Sequence, residues 1–288
     1  MSQLTHSQPS LVFVLYNPSP AELEHLVMIA SRFKGAIADN SAEPSFCTPM
    51  VGRMRYVSMN GNKGIAAAQN AALKMVLEDS EVQHVVFFDQ DSVFADTYPE
   101  QMVGEFELVR KTYPNLGALG ATIVDKENGK VYRSVIHKER RGEGSFVFNN
   151  EVIASGTCIS REAIETVGMF DEQLFIDFVD CEWCFRALSK GFVCGTTTAL
   201  QLQHKVGQRM LNIFGHIVII SAPKRYFYQY RNLLLLMSRA YVPLSFKVNK
   251  GVKFFLRLIY FPFIKGGIAR WLYMWRGMFA AITTKGKR

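Results

Sequence analysis

Short apolar runs alternate with amphipathic stretches along the N-terminal part of the chain, and this alternation limits the fold more than any other feature. Four runs have the length and composition of buried strands, at residues 11–16, 35–38, 55–59 and 84–88. Helix formers with one apolar face predict helices at residues 20–33 and 64–78, the first with Ser19 as N-cap and Pro20 in its first turn. This β-α-β-α-β order predicts an α/β fold with a doubly wound, mostly parallel, Rossmann-like sheet.

The middle of the chain continues this pattern and then changes. Residues 97–111, 161–167 and 180–190 predict helices, and residues 192–200 predict a closing strand. Residues 116–150 contain strand-like runs interrupted by Asn128-Gly129 and residues 142–144. Beyond His204 the chain becomes aromatic, basic and apolar. A chain of 288 residues has room for a catalytic domain and an appendage, which we place at residues 1–207 and 208–288.

The residues directly after each predicted strand are the first candidates for ligand binding. In doubly wound sheets, ligands bind beyond the carboxyl ends of the strands. Here those positions are polar, acidic or glycine-containing, as a nucleotide site requires. They are Tyr16-Asn17, Asp39-Asn40-Ser41, residues 60–64 and Asp89-Gln90-Asp91.

Asp89 and Asp91 are the candidate metal ligands. Two carboxylates at i and i+2 after a buried strand can face one divalent cation, directly or through water. Such a cation neutralises the growing charge of a diphosphate leaving group. The alternative is a pair of turn-forming or helix-capping carboxylates with no metal role. His204 follows the closing strand and could supply a third ligand, although a single histidine is more often structural.

A second group of acidic residues lies at residues 175–186, where Asp177, Asp180 and Glu182 stand among aromatic residues. An ionised, partly desolvated carboxylate can act as a general base for a hydroxyl group. If Asp180 lies near a helix N-terminus, the backbone amides favour its charged form. The alternative is a capped surface helix in which Glu182 pairs with Arg186. Cys181 and Cys184 have no second pair at zinc-site spacing, so we interpret them as core residues.

Charge is distributed very unevenly along the chain. Residues 1–182 contain all 25 acidic residues and 15 Lys/Arg, whereas residues 183–288 contain 18 Lys/Arg and no Asp or Glu. The two parts therefore carry formal charges of −10 and +18, which indicates a polyanionic partner for the second part. Five scattered cysteines, and a polar segment at residues 1–10 without an apolar core, predict reduced thiols, no signal peptide and a cytoplasmic location.

The C-terminal region suits a membrane surface better than a nucleic acid. Residues 223–288 contain fourteen Lys/Arg interleaved with fifteen aromatic residues. Residues 233–237 and 252–264 are too short, and the second too charged, to span a bilayer. They predict basic amphipathic helices that lie among anionic headgroups. Nucleic-acid binding by base stacking is the rival, and an aromatic core with a basic rim is the interpretation without a partner.

These landmarks occur together and in order, and in them the sequence resembles glycosyltransferase family 2, which has the GT-A fold. Within that family it is similar to the bacterial rhamnosyltransferases of surface polysaccharide (O-antigen or capsule) assembly. The stretches that carry the resemblance are Tyr16-Asn17-Pro18, Asp39-Asn40-Ser41, residues 62–70 (NKGIAAAQN), Phe88-Asp89-Gln90-Asp91-Ser92, Ala154-Ser155-Gly156-Thr157, and residues 167–171 and 175–186. They span about two thirds of the chain, and the form of residues 88–92 favours rhamnose as the sugar.

The resemblance implies a role for each matching residue. The nucleotide-sugar ligands would be Tyr16, Asn17, Asp39, Asn62, Gly64, Gln69, Asp89 and Gln90. A divalent metal, Mg²⁺ or Mn²⁺, would be held by Asp89, Asp91 and His204, and the acceptor would lie beside Gly156 and Trp183. Asp180 would be the catalytic base, with Asp177 and Glu182 as further catalytic candidates. Family members commonly have an acidic residue just before the base, whereas here it is Val179, so Asp177 competes for the role.

These observations together predict an inverting glycosyltransferase at the inner face of the cell membrane. It would transfer L-rhamnose from dTDP-L-rhamnose to a lipid-linked glycan. One alternative is the same chemistry with a UDP-hexose or galactofuranose donor. Another, from a different class, is a module that binds a nucleotide or nucleic acid without turnover. We expect an anionic membrane surface as a partner, and no nucleic acid.

Overall fold

A computed structural model describes residues 8–125, 140–204, 210–213 and 216–285. The strands are β1 (Ser10–Leu15), β2 (Gly35–Asp39), β3 (Met50–Val51), β4 (Met54–Ser58), β5 (His84–Asp89), β6 (Leu116–Asp125), β7 (Arg140–Arg141), β8 (Phe146–Phe148), β9 (Thr157–Ser160), β10 (Val193–His204), β11 (Met210–Ile213) and β12 (His216–Ile219). The helices are α1 (Pro20–Arg32), α2 (Ile65–Leu77), α3 (Tyr98–Thr112), α4 (Arg161–Val167), α5 (Val179–Ser189), α6 (Pro223–Met237), α7 (Leu244–Tyr260) and α8 (Gly267–Lys285).

The central sheet has the strand order β3-β4-β2-β1-β5-β9-β6-β10-β8-β7. Strands β4, β2, β1 and β5 are parallel, and so are β6 and β10. The doubly wound α/β sheet is therefore confirmed, with one difference. Strand β9 lies antiparallel between β5 and β6 and joins the two parallel parts.

The predicted helices and strands of the first half agree with the structure to within about two residues at most ends. Helix α1 begins with the predicted cap: Glu22 N donates to Ser19 Oγ (3.4 Å) and Ser19 N to Glu22 Oε2 (2.6 Å). Strand β9 was missed, because four residues that follow a loop give no periodic signal. Asn128-Gly129 lies outside the described residues.

Two apolar cores cover the two faces of the sheet. One contains α2, α4 and α5 residues such as Leu73, Ile164 and Trp183, and the other contains α1 and α3 residues such as Leu26 and Phe106. This layering leaves the carboxyl ends of β1, β2 and β5 at one edge, where the polar residues predicted from the sequence follow them.

The C-terminal helices form a third core, which packs on the catalytic candidate helix. Its buried members are Phe185 of α5 together with Ile220, Tyr226, Tyr230, Leu233, Leu236, Val242, Phe246, Phe254, Phe261 and Met274. Helices α6 and α8 approach closely, since a Cβ on Gly277 would lie 2.3 Å from the Phe227 carbonyl oxygen. Because the third core buries several aromatic residues of the C-terminal helices, those residues cannot contact a membrane. The predicted boundary at residue 207 falls outside the described residues.

Among the described residues, none of the helices combines the length and apolarity needed to cross a bilayer. All five cysteines are free thiols, and Cys184 is buried in the first core.

Candidate active site

The turns after β1, β2 and β5 bind one another through backbone-to-side-chain hydrogen bonds. Tyr16 N donates to Gln90 Oε1 (2.6 Å), and Asn17 N donates to Ser41 Oγ (2.8 Å). Asn17 has a φ of +48°, a conformation that asparagine adopts more readily than most residues. The side chain of Tyr16 is about half exposed. The structure thus brings three predicted ligand-binding segments together at one edge of the sheet.

Asp39 lies beneath this edge, fully buried, and accepts three hydrogen bonds. Ser41 N (2.9 Å), Ser45 N (2.8 Å) and Tyr56 Oη (2.8 Å) are the donors. Burial alone would raise the pKa of Asp39, but the donors from Ser41 and Ser45 outweigh it and the pKa is lowered. Burial and the Asp39 acceptor raise the pKa of Tyr56 to about 12. Asp39 therefore orders the loop after β2 as an ionised acceptor; its contact with a nucleotide base stays a prediction.

The loop before α2, which contains the predicted nucleotide-sugar ligands Asn62 and Gly64, is closed by hydrogen bonds to its own backbone amides. Gly64 N donates to Asn62 Oδ1 (3.0 Å), and Ile65 N donates to the Phe175 carbonyl (2.7 Å). A Cβ on Gly64, whose φ is +91°, would lie 2.8 Å from Phe175 Cα. The loop before α5 therefore covers this end of α2, and the contact of Gly64 with a sugar nucleotide stays a prediction. Asn62 remains exposed.

Gln69 and Trp183 are also buried, against their predicted contacts with ligands. Trp183 is 2% exposed in the first core and donates its Nε1–H to the Gly168 carbonyl (2.9 Å). Because α5 turns that side chain into the first core, it does not reach the surface, and its contact with an acceptor stays a prediction. Gln69 is 3% exposed within α2, which removes it from the cleft surface.

Gly156 supports the cleft from below through its backbone. Its amide donates to the Phe87 carbonyl (2.7 Å), and its carbonyl accepts from Tyr98 Oη (2.8 Å). A Cβ here would lie 2.6 Å from Tyr98 Oη, and the φ of +74° also requires glycine. The neighbouring Ser155 Oγ lies 2.7 Å from Ser92 Oγ, which ties this segment to the acidic turn.

Asp89 ends β5, and Asp91 stands exposed on the turn that follows. Asp89 N donates to Ser92 Oγ (3.1 Å), which holds the turn closed. Val93 forms a β-bridge with Gln203, so the backbone end of β10 lies beside this turn. The side chain of His204 lies outside the described residues, within which no three His, Cys, Asp or Glu side chains are placed to hold a metal. The three-ligand set therefore stays a prediction.

Asp180 is a carboxyl group with a strongly shifted pKa near the turns after the strands. It occupies the first turn of α5, and Ala154 N donates to its Oδ2 (3.2 Å). Burial, together with repulsion by Asp89 and Asp177, raises the pKa of Asp180 to about 7 despite that hydrogen bond. The expectation that the helix N-terminus would favour the charged form is overridden by desolvation. A carboxyl with this pKa can accept or release a proton near neutral pH.

The two other acidic candidates are engaged in ion pairs. Arg225 of α6 binds Asp177 with Nη2–Oδ1 at 2.9 Å and Nε–Oδ2 at 3.1 Å. Glu182 is 1% exposed and accepts from Arg186 (2.9 Å) and Tyr241 Oη (2.6 Å), with Arg239 Nη1 at 3.2 Å. Both oxygens of Glu182 accept from the half-buried Arg186, which favours a structural position for this side chain, and its catalytic role stays a prediction.

Helix α6 holds the loop that leads to Asp180, a role that the sequence analysis missed. The loop contains three non-glycine residues at positive φ, namely Phe175, Asp177 and Phe178. The fully buried Asn232 donates to the carbonyls of Leu174 (2.7 Å), Ile176 (2.7 Å) and Asp177 (3.0 Å). Backbone in this conformation persists only when its surroundings hold it. The one sequence feature that indicates this role is Asn232, which directly precedes a run of four leucines.

The chain is similar in sequence to known glycosyltransferases. Residues 36–168 match the family model described as Glycosyl transferase family 2. The chain is 29% identical over 263 residues to the dTDP-rhamnosyl transferase RfbF of Shigella flexneri, covering 84% of this chain and 83% of that protein.

Solved structures of S. aureus TarS share the fold. The 1–349 fragment gives a TM-score of 0.53 at 11% identity, over 81% of this chain and 66% of that one. A longer TarS structure gives 0.53 at 12% identity, over 83% of this chain and 41% of that one. At such identities the likeness shows the fold alone. The predicted GT-A-like fold is confirmed.

Proposed function

We propose, from the glycosyl transferase family 2 domain that this chain carries, that the protein is an inverting transferase that moves L-rhamnose from dTDP-L-rhamnose to a lipid-linked glycan. The observation that carries the chemistry is the position of Asp180 in the first turn of α5, where burial and the nearby Asp89 and Asp177 raise its pKa to about 7. The similarity to a dTDP-rhamnosyl transferase supports the donor.

Asp180 acts as the base in this proposal. Its carboxylate takes the proton of the acceptor hydroxyl as that oxygen attacks the anomeric carbon, and the bond to the nucleoside diphosphate breaks on the opposite face. Asp177 is less suited, because its carboxylate is held by Arg225. A glycosidase needs a second carboxyl group to protonate its leaving group, whereas a diphosphate leaves as a stabilised anion.

Asp89 and Asp91 are the residues that would hold a divalent cation, with His204 as the third candidate. The carboxylates fit Mg²⁺ or Mn²⁺, which prefer oxygen ligands. The repulsion that Asp89 exerts on Asp180 also indicates an excess of negative charge in the cleft. When bound, the cation supplies charge neutralisation to the departing diphosphate. Tyr16, Asn17 and Gln90 then line the nucleotide side of the cleft, with Asp39 ordering the loop beneath.

We place the reaction at the inner face of a membrane, because a lipid-linked acceptor resides there and because residues 183–288 carry a formal charge of +18. O-antigen or capsule assembly is the process that we infer for the product.

The test is a panel of sugar nucleotides screened for release of dTDP, UDP or GDP, with and without a divalent metal. We expect metal-dependent release of dTDP from dTDP-L-rhamnose above all other donors. A preference for a UDP-sugar would select the hexose or galactofuranose alternative. Absence of turnover with every donor, from folded protein that binds a nucleotide, would select the non-catalytic module.

A further inference from the structure

Helix α7 has one apolar face turned to solvent. Six of its apolar side chains are each more than half exposed, and they recur every three or four residues: Leu244, Val248, Val252, Phe255, Leu256 and Ile259. The opposite face of α7 is buried through Phe246 and Phe254 in the third core. The exposed residues are therefore a second apolar face, and the core of the protein does not explain them.

Helix α8 repeats this arrangement. Its exposed apolar residues, Ile268, Leu272, Trp275, Phe279 and Ile282, again lie at helical spacing and are 40–66% exposed. Met274 and Ala281 on the other side of α8 are buried. Phe263 lies in the turn between the helices and is 86% exposed. We call these α7, turn and α8 residues the C-terminal apolar face.

The tryptophan and tyrosine residues of α8 differ in their exposure. Trp275 belongs to the C-terminal apolar face. Trp271 packs against the third core and donates its Nε1–H to the Leu258 carbonyl (3.0 Å), and Tyr273 packs against the same core. Deleting residues 252–288 would remove the buried Phe254, Phe261 and Met274 as well, so this deletion cannot test membrane binding alone.

Basic residues crowd beside the exposed face of α7. Lys250, Lys253 and Arg257 follow one another at helical spacing, and burial together with repulsion from Arg257 and Lys250 lowers the pKa of Lys253. Lys250 pairs with Glu151 (2.8 Å), an acid that comes from the catalytic part of the chain. Glu151 also acts on Lys253, and Arg257 lies over the ring of Phe254 (5.5 Å). Three cations therefore share one acidic partner, and an apolar face beside this excess of positive charge is complementary to anionic headgroups above acyl chains.

We propose that the C-terminal apolar face docks on an anionic lipid surface. A second copy of the chain is a poorer occupant, because it would bring two regions of +18 together. A nucleic acid would satisfy the cations but leave the valine, leucine and isoleucine side chains without apolar partners. In an anionic bilayer, the headgroups can pair with the cations, and the acyl chains directly below them can bury the apolar side chains.

The face is mechanically connected to the candidate base. On the inner side of α7, the Phe246 ring lies 4.8 Å from the ring of Phe185 and 5.7 Å from that of Phe178, both of which flank Asp180 on α5 or its preceding loop. Docking of α7 would then hold α5, the helix that carries Asp180, near the lipid that bears the acceptor. This last step rests on the proposed function, whereas docking itself does not.

The experiment compares full-length variants by sedimentation with vesicles. The test variant is Phe255→Ser/Ile259→Ser/Phe263→Ser. The matched control is Met28→Ser/Met50→Ser/Leu108→Ser, which removes three apolar side chains of comparable exposure from α1, β3 and α3. Thermal unfolding of both variants establishes that they fold. Vesicles contain either phosphatidylcholine alone or equal parts of phosphatidylcholine and phosphatidylglycerol.

We expect the wild type and the control to sediment with the anionic vesicles, and the test variant to bind at least about tenfold more weakly. Salt at 1 M, where the Debye length is about 3 Å, should release the wild type only in part, since apolar contacts survive screening. Acyl-chain bromine should quench wild-type tryptophan fluorescence, and Trp275→Phe should remove most of that quenching. This last comparison supports or refutes the proposal even if the triple variant fails to fold.

Three results would overturn the proposal. One is equal vesicle binding by the folded test variant and the wild type. Another is a wild-type dimer without vesicle binding that the test variant converts to a monomer. The third is a wild type that does not bind vesicles but binds a poly-dT oligonucleotide, with this binding lost in the test variant. Release of dTDP measured without vesicles should be equal in the test variant and the wild type. If neither protein releases dTDP, the proposed transferase activity is refuted, whereas the docking proposal is not.

Discussion

Replacing Asp180 by asparagine should stabilise the protein while it removes activity, and the stabilisation should depend on pH. The Asp180 carboxyl has a pKa of about 7 in the folded chain, against its ordinary value of 3.8. Below about pH 4 the carboxyl is protonated whether or not the chain is folded. Between pH 4 and 7 the unfolded chain has lost a proton that the folded chain retains, so wild-type stability falls as the pH rises. An asparagine side chain at this position cannot ionise, so the Asp180→Asn variant escapes this loss.

The structure sets the size of the effect. Each pH unit between the two pKa values corresponds to about 1.36 kcal/mol, so the full penalty above pH 7 is about 4 kcal/mol. Asp180 keeps partial access to solvent, which reduces the penalty, and we expect about 2 kcal/mol. For a chain of this length, that corresponds to a rise in Tm of about 4–8 °C at pH 8 and almost none at pH 4.

The assay is thermal unfolding of the wild type and Asp180→Asn from pH 4 to pH 8, with chelator present, because a cation near Asp89 would lower the pKa of Asp180. Asp177→Asn is the matched control. It breaks the ion pair with the half-exposed Arg225, so it should lower stability slightly, by less than about 1 kcal/mol. In turnover assays, Asp180→Asn should lower kcat at least about a hundredfold with donor affinity nearly unchanged, and Asp177→Asn should be milder. A Tm difference for Asp180→Asn that is independent of pH would refute the environment inferred for Asp180, and the reverse order of kcat would transfer the base role to Asp177.

Three further predictions concern the metal, the donor and the C-terminal support. Asp91→Asn should lower turnover at least about a hundredfold, and excess chelator should abolish the activity of the wild type. Full activity in excess chelator would contradict the metal role. Calorimetry with metal present should show dTDP binding more tightly than UDP or GDP, and a clear preference for UDP would replace rhamnose by a hexose. Asn232→Ala removes three hydrogen bonds to loop carbonyls and should destabilise the protein by about 2–4 kcal/mol, measured by denaturant unfolding, and lower kcat more than it changes donor affinity. Unchanged kcat in folded Asn232→Ala would mean that the loop needs no support from α6.

The order of helices and strands and the polar ends of β1, β2 and β5 follow from the sequence by itself. Apolar periodicity and helix caps are local signals, and the capping box at Ser19 and Glu22 can be read from four residues. The rule that ligands bind beyond parallel strands then places Asp39, Asp89 and Asp91 at one edge before any coordinate is known. The imbalance of charge after Glu182 is likewise a property of the sequence alone.

The tertiary structure alone decided which of these side chains are free to act. Asp177 and Asp180 are equivalent in the sequence, and they differ because Arg225, 48 residues away, binds only the first. Trp183 lies in the same acidic and aromatic run as Asp180, but α5 directs it into the core. Likewise, the amides at the start of α2 already donate to the Asn62 side chain and the Phe175 carbonyl. Burial, pairing and pKa depend on contacts between residues far apart in the chain, and no local pattern records those contacts.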